Sequence, residues 1–323
     1  FEDVTREAGV YVESEGKGLG VVWGDYDNDS DIDLYVANDS MRNFLFRNEG
    51  GGRFEDVTLL AGVGYSEDGR TQAGMGTDMA DYDGDGFLDI TVTNLDFEYN
   101  AMYRGSTSGI FTDESYESGV AEVSLPFVGF GTFFFDFDHD GLLDVFVANG
   151  HIIDNVHLFG SVSTYREPNL VFRNQGGGRF QETAASLGEA LVSPNVARGA
   201  APGDYDEDGD LDVLVTRCGG TAILARNDGG SAVPSLRIDL VGRRSNRFGV
   251  GARATVRFGA RLSMGEVKTG ISYLSQGPLS LHFGMGNASS ADTLEVRWPS
   301  GTVDRLERVP PGRLLVLEGS GAF

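Results

Sequence analysis

The sequence predicts an all-β protein, a β-propeller-type run of four-stranded units followed by a small β-sandwich or barrel-like module. Three observations predict it. A nine-residue acidic loop occurs four times, a short Val-rich strand follows each copy, and from about Ser235 the loops stop while alternating strands continue. The loops are Asp25-Tyr-Asp27-Asn-Asp29-Ser-Asp31-Ile-Asp33, Asp81-Tyr-Asp83-Gly-Asp85-Gly-Phe87-Leu-Asp89, Asp136-Phe-Asp138-His-Asp140-Gly-Leu142-Leu-Asp144 and Asp204-Tyr-Asp206-Glu-Asp208-Gly-Asp210-Leu-Asp212.

Each copy has carboxylates at positions 1, 3, 5 and 9. Residues 1, 3 and 5 converge if the backbone wraps around one point. Position 6 is the tight bend, and Gly86, Gly141 and Gly209 suit it because glycine tolerates positive φ. Ser30 is the exception, so the first loop is expected to bend less easily. Four carboxylates this close repel one another unless a cation lies between them. An all-oxygen, flexible cage suits Ca²⁺ better than Mg²⁺, and no soft ligand favours zinc or copper. About four Ca²⁺ are therefore expected. An EF-hand is excluded, because position 12 is Val36, Val92, Val147 or Val215 where that loop needs glutamate. A metal-free acidic turn would explain one copy but not four at matched positions.

The loops begin 56, 55 and 68 residues apart, a repeat of propeller-blade size. A glycine-rich strand leads into each loop, starting at Gly18, Gly74, Gly129 and Gly199. The Val-rich strand follows, then an Asn-Phe-Leu-Phe-Arg-Asn type strand at 43–48, 100–104, 169–174 and, more loosely, 222–227. A Gly turn then leads to a fourth strand at 53–58, 110–114 or 179–183. The last unit has no such strand, whereas the chain opens on Phe1-Glu-Asp-Val-Thr5. The N-terminal strand is therefore expected to complete a later blade, in its own ring or in a neighbour's, and Ser235–Val241 is a competing donor. The third unit carries extra length from Asn149 to Pro168, with His151, His157 and Tyr165. Such a loop is a natural binding site, or else a variable surface excursion.

Residues 1–230 read as the repeat region and 235–319 as a second all-β module. Its strands are expected at 236–240, 252–258, 266–269, 279–283, 293–298 and 314–317. Its basic residues Arg237, Arg243, Arg244, Arg247, Arg253, Arg257 and Arg261 are expected to face the acidic repeats.

Formal charge is −24 over 323 residues. That charge disfavours nucleic acid, which needs a basic field. The single cysteine, Cys218, excludes an intrachain disulfide framework and reads as a small buried hydrophobe. No apolar run reaches membrane-spanning length. The opening on Phe1 without a signal peptide reads as a processed or trimmed mature chain. Calcium sites of this kind point outside the cell, where the ion is abundant.

The Asp-x-Asp-x-Asp-Gly-x-x-Asp loops between strands resemble FG-GAP/VCBS repeats, the calcium-binding blades of integrin-α-type propellers. Asn246-Arg-Phe-Gly-Val-Gly-Ala252, Gly270-Ile-Ser-Tyr-Leu-Ser-Gln276, Leu281-His-Phe-Gly-Met-Gly286 and Val296-Arg-Trp-Pro-Ser-Gly301 resemble the ASPIC/UnbV domain. The combination is similar to bacterial secreted proteins related to the cartilage acidic protein family. The resemblance implies that Asp25, Asp27, Asp29, Asp33, Asp81, Asp83, Asp85, Asp89, Asp136, Asp138, Asp140, Asp144, Asp204, Asp206, Asp208 and Asp212 bind Ca²⁺ through side chains. Position 7, which is Asp31, Phe87, Leu142 or Asp210, would bind through its carbonyl. It also implies seven blades, where four are clear here.

Catalytic motifs are thin. Gly105-Ser-Thr-Ser-Gly109 puts threonine at the nucleophile position with no strand-to-helix setting. Gly16-Lys-Gly-Leu-Gly20 lacks a βαβ context. His139 reads as outward-facing within its loop, and His282 as a packed strand residue. The expected function is a non-enzymatic, extracellular recognition, adhesion or assembly module. Its partners would be a protein or glycan, or other copies of itself through the N-terminal strand. The alternative is an enzyme of cyclase or lyase type, with a pocket where His151, Tyr165 and Arg166 converge.

Overall fold

A computed structural model describes residues 1–159, 162–229 and 232–322. Each acidic loop joins two antiparallel strands. The first sheet is β1 (Gly18–Gly24), β2 (Asp33–Asn38), β3 (Phe44–Asn48) and β4 (Phe54–Asp56), in that order. The second is β5 (Thr77–Ala80), β6 (Asp89–Val92), β7 (Ala101–Arg104) and β8 (Thr112–Asp113). The third is β9 (Gly129–Phe135), β10 (Asp144–Asn149), β11 (Leu170–Asn174) and β12 (Phe180–Glu182), and the fourth is β13 (Ala197–Gly203), β14 (Asp212–Arg217) and β15 (Ile223–Ala225). Short helices follow the first three sheets: α1 (Thr58–Ala61), α2 (Val120–Ser124), α3 (Ala184–Leu187) and α4 (Glu189–Val192). Sequence reading did not anticipate them, since four or five residues carry too little periodicity to separate helix from turn.

The sheets pack face to face, and the core lies between them. Val22, Tyr35 and Leu45 of the first sheet join Met79, Ile90 and Tyr103 of the second. Tyr82 and Met102 join Phe134, Val145 and Phe172 of the third. Phe133 and Phe146 join Ala200, Val213 and Val215 of the fourth. The glycine-rich lead-ins have a packing reason. A Cβ on Gly20 would overlap the Met75 carbonyl, and one on Gly76 the Phe130 carbonyl, so neighbouring inner strands approach to a distance only glycine allows.

Within this chain the expectation for Phe1–Thr5 is corrected. These residues form no strand and complete no sheet of their own chain. The residues just after them lie beside β4, with Phe54 N–H donating to the Ala8 carbonyl at 2.7 Å. The competing donor also goes elsewhere, since β16 (Ser235–Val241) pairs with the C-terminal strands. The fourth sheet keeps three strands, and among the described residues no strand pairing joins the first sheet to the last.

The C-terminal part is a sandwich of two four-stranded sheets. Its strands are β16, β17 (Arg253–Phe258), β18 (Arg261–Glu266), β19 (Leu281–Gly284), β20 (Ala291–Arg297), β21 (Val303–Val309), β22 (Gly312–Leu317) and β23 (Gly321–Ala322). The sheet orders are β19-β16-β22-β23 and β18-β17-β20-β21. Leu236, Ile238 and Phe283 of one face pack on Ala254, Val256, Leu294 and Val296 of the other. The strand expected at 266–269 lies earlier, at β18. β21 escaped sequence reading because it is an edge strand carrying Arg305, Glu307 and Arg308, the charges that protect an open edge, while its Asp304 is buried and accepts the Trp298 Nε1–H.

Candidate metal centres

The four loops share one backbone design. Position 4 has positive φ in each: Asn28 at 64°, Gly84 at 76°, His139 at 57° and Glu207 at 60°. Position 6 follows, with Ser30 at 80° beside Gly86 and Gly141 at 90° and Gly209 at 98°. Ser30 therefore adopts the same bend as the glycines, with a Cβ in the left-handed region. The position-5 aspartates Asp29, Asp85, Asp140 and Asp208 each accept the N–H of position 7 at 2.8–3.0 Å.

Depth follows position. Asp25, Asp81 and Asp136 at position 1 are buried, as are Asp33, Asp89, Asp144 and Asp212 at position 9. Positions 3 and 5 lie nearer solvent. At position 1, Asp25 accepts from Ser30 N–H and Asp136 from Gly141 N–H through one oxygen, whereas Asp81 uses both, Oδ2 accepting from Gly86 N–H and Oδ1 from Gly84 and Asp85 N–H. The other oxygen, Oδ1, is buried without a hydrogen-bond partner in Asp25, Asp136 and Asp204. A buried carboxylate oxygen left this way is costly unless a cation meets it.

Position 9 is a clamp. Both oxygens accept backbone N–H groups, one from position 2 of the same loop and one from the third strand or within two residues of its end. Asp33 takes Tyr26 and Asn48, Asp89 takes Tyr82 and Gly105, Asp144 takes Phe137 and Asn174, and Asp212 takes Tyr205 and Asn227.

Carboxylate oxygens converge in every loop. One oxygen each from Asp25, Asp27 and Asp29 lie within 4.8 Å of one another, as do those of Asp81, Asp83 and Asp85, of Asp136, Asp138 and Asp144, and of Asp204, Asp206 and Asp212. Burial pushes the carboxyls up, and neighbouring aspartates add to it at Asp136. Asp25 is raised to about 6, Asp81 to about 7, Asp33 and Asp136 to about 8, and Asp144 to about 9. Each loop thus calls for positive charge, supplied by protons or by an ion. The donor set is all oxygen and flexible, so the residues fit a hard divalent cation of the Ca²⁺ kind.

Two braces were not read as such from the sequence, although the Arg-Asn pair of the third strand was the available signal. Arg104 bonds Asp83 at 2.6 Å, and Arg173 bonds Asp138 at 2.6 Å and Asp140 at 3.2 Å, which fixes the outer carboxylates. The asparagine reaches the preceding sheet's loop. Asn174 Nδ2 donates to the Tyr82 carbonyl at 3.0 Å and Asn227 Nδ2 to the Phe137 carbonyl at 2.7 Å.

Comparison with known families follows this geometry. The FG-GAP-like repeat pattern matches residues 25–92, 81–147 and 136–215, each match running from one acidic loop past the next, and together they cover more than half of the chain. The chain belongs to the FG-GAP-like repeat family. The ASPIC and UnbV family pattern matches residues 242–322, over most of the sandwich. Human cartilage acidic protein 1 is 30% identical over 308 residues, covering 93% of this chain and 43% of the relative; the mouse protein is 30% identical over 307 residues, covering 93% and 44%. This FG-GAP chain therefore spans less than half the length of these relatives. Among solved structures, an Agrocybe aegerita lectin recognising non-reducing terminal N-acetylglucosamine aligns with a TM-score of 0.35 at 18% identity, over 65% of this chain and 53% of its own. The V. cholerae biofilm matrix protein Bap1 aligns with a TM-score of 0.35 at 12% identity, over 91% and 60%.

Other residues singled out in the FG-GAP chain are placed as follows. His139 is buried rather than outward, its Nδ1 2.9 Å from the Val233 carbonyl and its ring 4.7 Å from that of His282. Burial holds the His282 imidazole down to about 3, so it stays neutral. Cys218 is exposed, not buried. In the long loop His151 is buried, with Nδ1 accepting from Ile153 N–H and Nε2 3.5 Å from Asp96, while Arg166 is exposed. Tyr165 meets His151 through its backbone carbonyl. The same loop exposes Ile152, Leu158, Phe159 and Val162, and Phe97 is exposed as well. No helix among the described residues is long and apolar enough to cross a membrane.

Proposed function

We propose that the chain is a calcium-stabilised, non-enzymatic recognition or assembly module working outside cells. One observation carries the reading: in three of the four loops the position-1 aspartate keeps a buried Oδ1 without a hydrogen-bond partner, in loops whose carboxylate oxygens already converge. Ca²⁺ would meet those oxygens, offset the repulsion among the carboxylates and hold each loop at its bend. Asp25, Asp27, Asp29 and Asp33 would hold one ion, and their counterparts in the other loops the remaining three.

An ion that binds only the folded chain stabilises it by mass action, by about 2.7 kcal/mol per site at a hundredfold excess over Kd. The exposed apolar side chains of the long loop, Ile152, Leu158, Phe159 and Val162, support recognition, since large apolar groups left in solvent close together in sequence suit a partner's surface. The resemblance to cartilage acidic protein 1 supports an extracellular setting. The test is calorimetric titration of the metal-stripped chain with CaCl₂, paired with thermal melts. Uptake of about four ions with a rise in Tm is expected; no uptake at millimolar calcium would end the reading.

A further inference from the structure

The acidic loops also form the seat of the C-terminal sandwich. Side chains from the sandwich reach three of the four. Arg253 on β17 donates from Nη2 to the Asp25 carbonyl at 2.5 Å, approaches Asp25 Oδ2 at 3.4 Å, and bonds Asn28 through Nη1. Arg261 on β18 donates to the Asp140 carbonyl at 2.8 Å and ties it to the Gly284 carbonyl, also at 2.8 Å. In the fourth loop His282 Nε2 meets the Gly209 carbonyl at 3.1 Å and Arg237 meets Asp204 Oδ2 at 3.2 Å. No hydrogen bond from the sandwich reaches the second loop among the described residues.

A second contact runs along the inner strands. Ser272 and Thr77 exchange backbone hydrogen bonds at 2.8 and 3.3 Å. Tyr273 packs edge-on against Phe130 with centroids 5.0 Å apart, and Ile271 packs on the core between the third and fourth sheets. The fit is close, because a Cβ at Gly131 would lie 2.9 Å from Ser272 Oγ and one at Gly199 2.8 Å from Ser275 Oγ. Ser272 and Leu274 hold φ of 66° and 49°. Residues bearing a Cβ keep such angles only where their surroundings over-determine them.

The loop contacts through Arg253, Arg261 and His282 go to backbone carbonyls, so they require the loop in its closed shape. Carboxylate repulsion opens that shape and a divalent ion holds it. Arg253 also touches Asp25 Oδ2, the oxygen already bonded to Ser30, and leaves the buried Oδ1 without a partner. We propose that ion loading of the first, third and fourth loops seats the sandwich and its 270–276 segment on the repeat sheets, and that seating in turn tightens those loops for the ion. The coupling is reciprocal by linkage. It rests on the calcium reading above.

The test is hydrogen exchange on the full chain, read at peptides covering 270–276, with calorimetry on the same samples. Stripping the ion is expected to speed exchange there at least tenfold. Asp29→Asn in the first loop should do part of this in calcium. Asp85→Asn in the second loop should lose one ion and leave 270–276 protected. The Arg253→Ala, Arg261→Ala double variant should expose 270–276 in calcium and weaken ion uptake about fivefold or more, the lower range of typical couplings. If that double variant fails to fold, the contrast between Asp29→Asn and Asp85→Asn still decides, since neither touches the sandwich. Uptake of calcium with identical exchange at 270–276 in both states would overturn the inference alone. No uptake would overturn both it and the calcium reading.

Discussion

Replacing Asp144 with alanine separates the clamp from the ion. Asp144 is fully buried and accepts Phe137 N–H at 3.2 Å and Asn174 N–H at 2.8 Å. Alanine keeps the backbone but leaves both donors without partners inside the protein. Each stranded donor costs about 1–3 kcal/mol, so the variant should lose about 2–6 kcal/mol even with no metal present. By contrast, Asp208→Ala removes an exposed carboxylate whose recorded hydrogen bond is from Asp210 N–H at 3.0 Å, so metal-free stability should change by less than about 1 kcal/mol. The assay is urea unfolding of the metal-stripped proteins, comparing midpoints at constant slope. Equal midpoints for Asp144→Ala and the parent chain would refute the argument, because position 9 would then serve the ion alone.

Three further outcomes are expected. For the metal-stripped chain, carboxyls raised in the folded state bind protons more tightly than in the unfolded chain, so their stabilising effect is complete below about pH 4 and is lost as pH rises through about 6 to about 9; urea midpoints should be higher at pH 5 than at pH 8, with the calcium-induced gain largest at pH 8. Ser30→Gly should stabilise by up to about 1 kcal/mol in urea melts, because it removes a Cβ from a φ of 80°. Gly141→Ala should cost more than Gly86→Ala, since both hold φ of 90° but only the first Cβ would run into the Arg261 guanidinium, while the second meets nothing nearer than Leu262 at 4.0 Å; equal losses in the same melts would remove Arg261 from the seat of the third loop.

The repeat was legible because its signals are local. Alternating aspartates, a glycine bend and a Val-rich run all fall within about a dozen residues, so loop and strand could be read together. The serine at position 6 makes the glycine bend with the help of a local bond, Asp25 accepting its N–H. What failed depends on distant residues. His139 looked exposed until Val233 and His282, far along the chain, proved to cover it. The destination of Phe1–Thr5 could not be read because strand pairing between remote segments leaves no mark in composition. Within the loops, spacing marked the aspartates but not their division of labour. That division follows from depth, with the ninth position holding backbone and the first, in three of the four loops, keeping one buried oxygen without a partner.

The asparagine that closes the third strand has one more consequence. Asn174 and Asn227 each reach back to the loop before their own, so the second, third and fourth sheets are joined hand to hand through buried or half-buried bonds. Gly105 stands where the second sheet would offer that hand, and the join to the first loop is made by exposed Asn28 reaching forward to the Gly86 carbonyl at 3.0 Å. Water competes with that bond more than with the others. A chain pulled from its N-terminal end would meet its most water-exposed loop-to-loop join at this seam, and the packed core between the first two sheets and the Arg253 contacts would carry the remaining resistance.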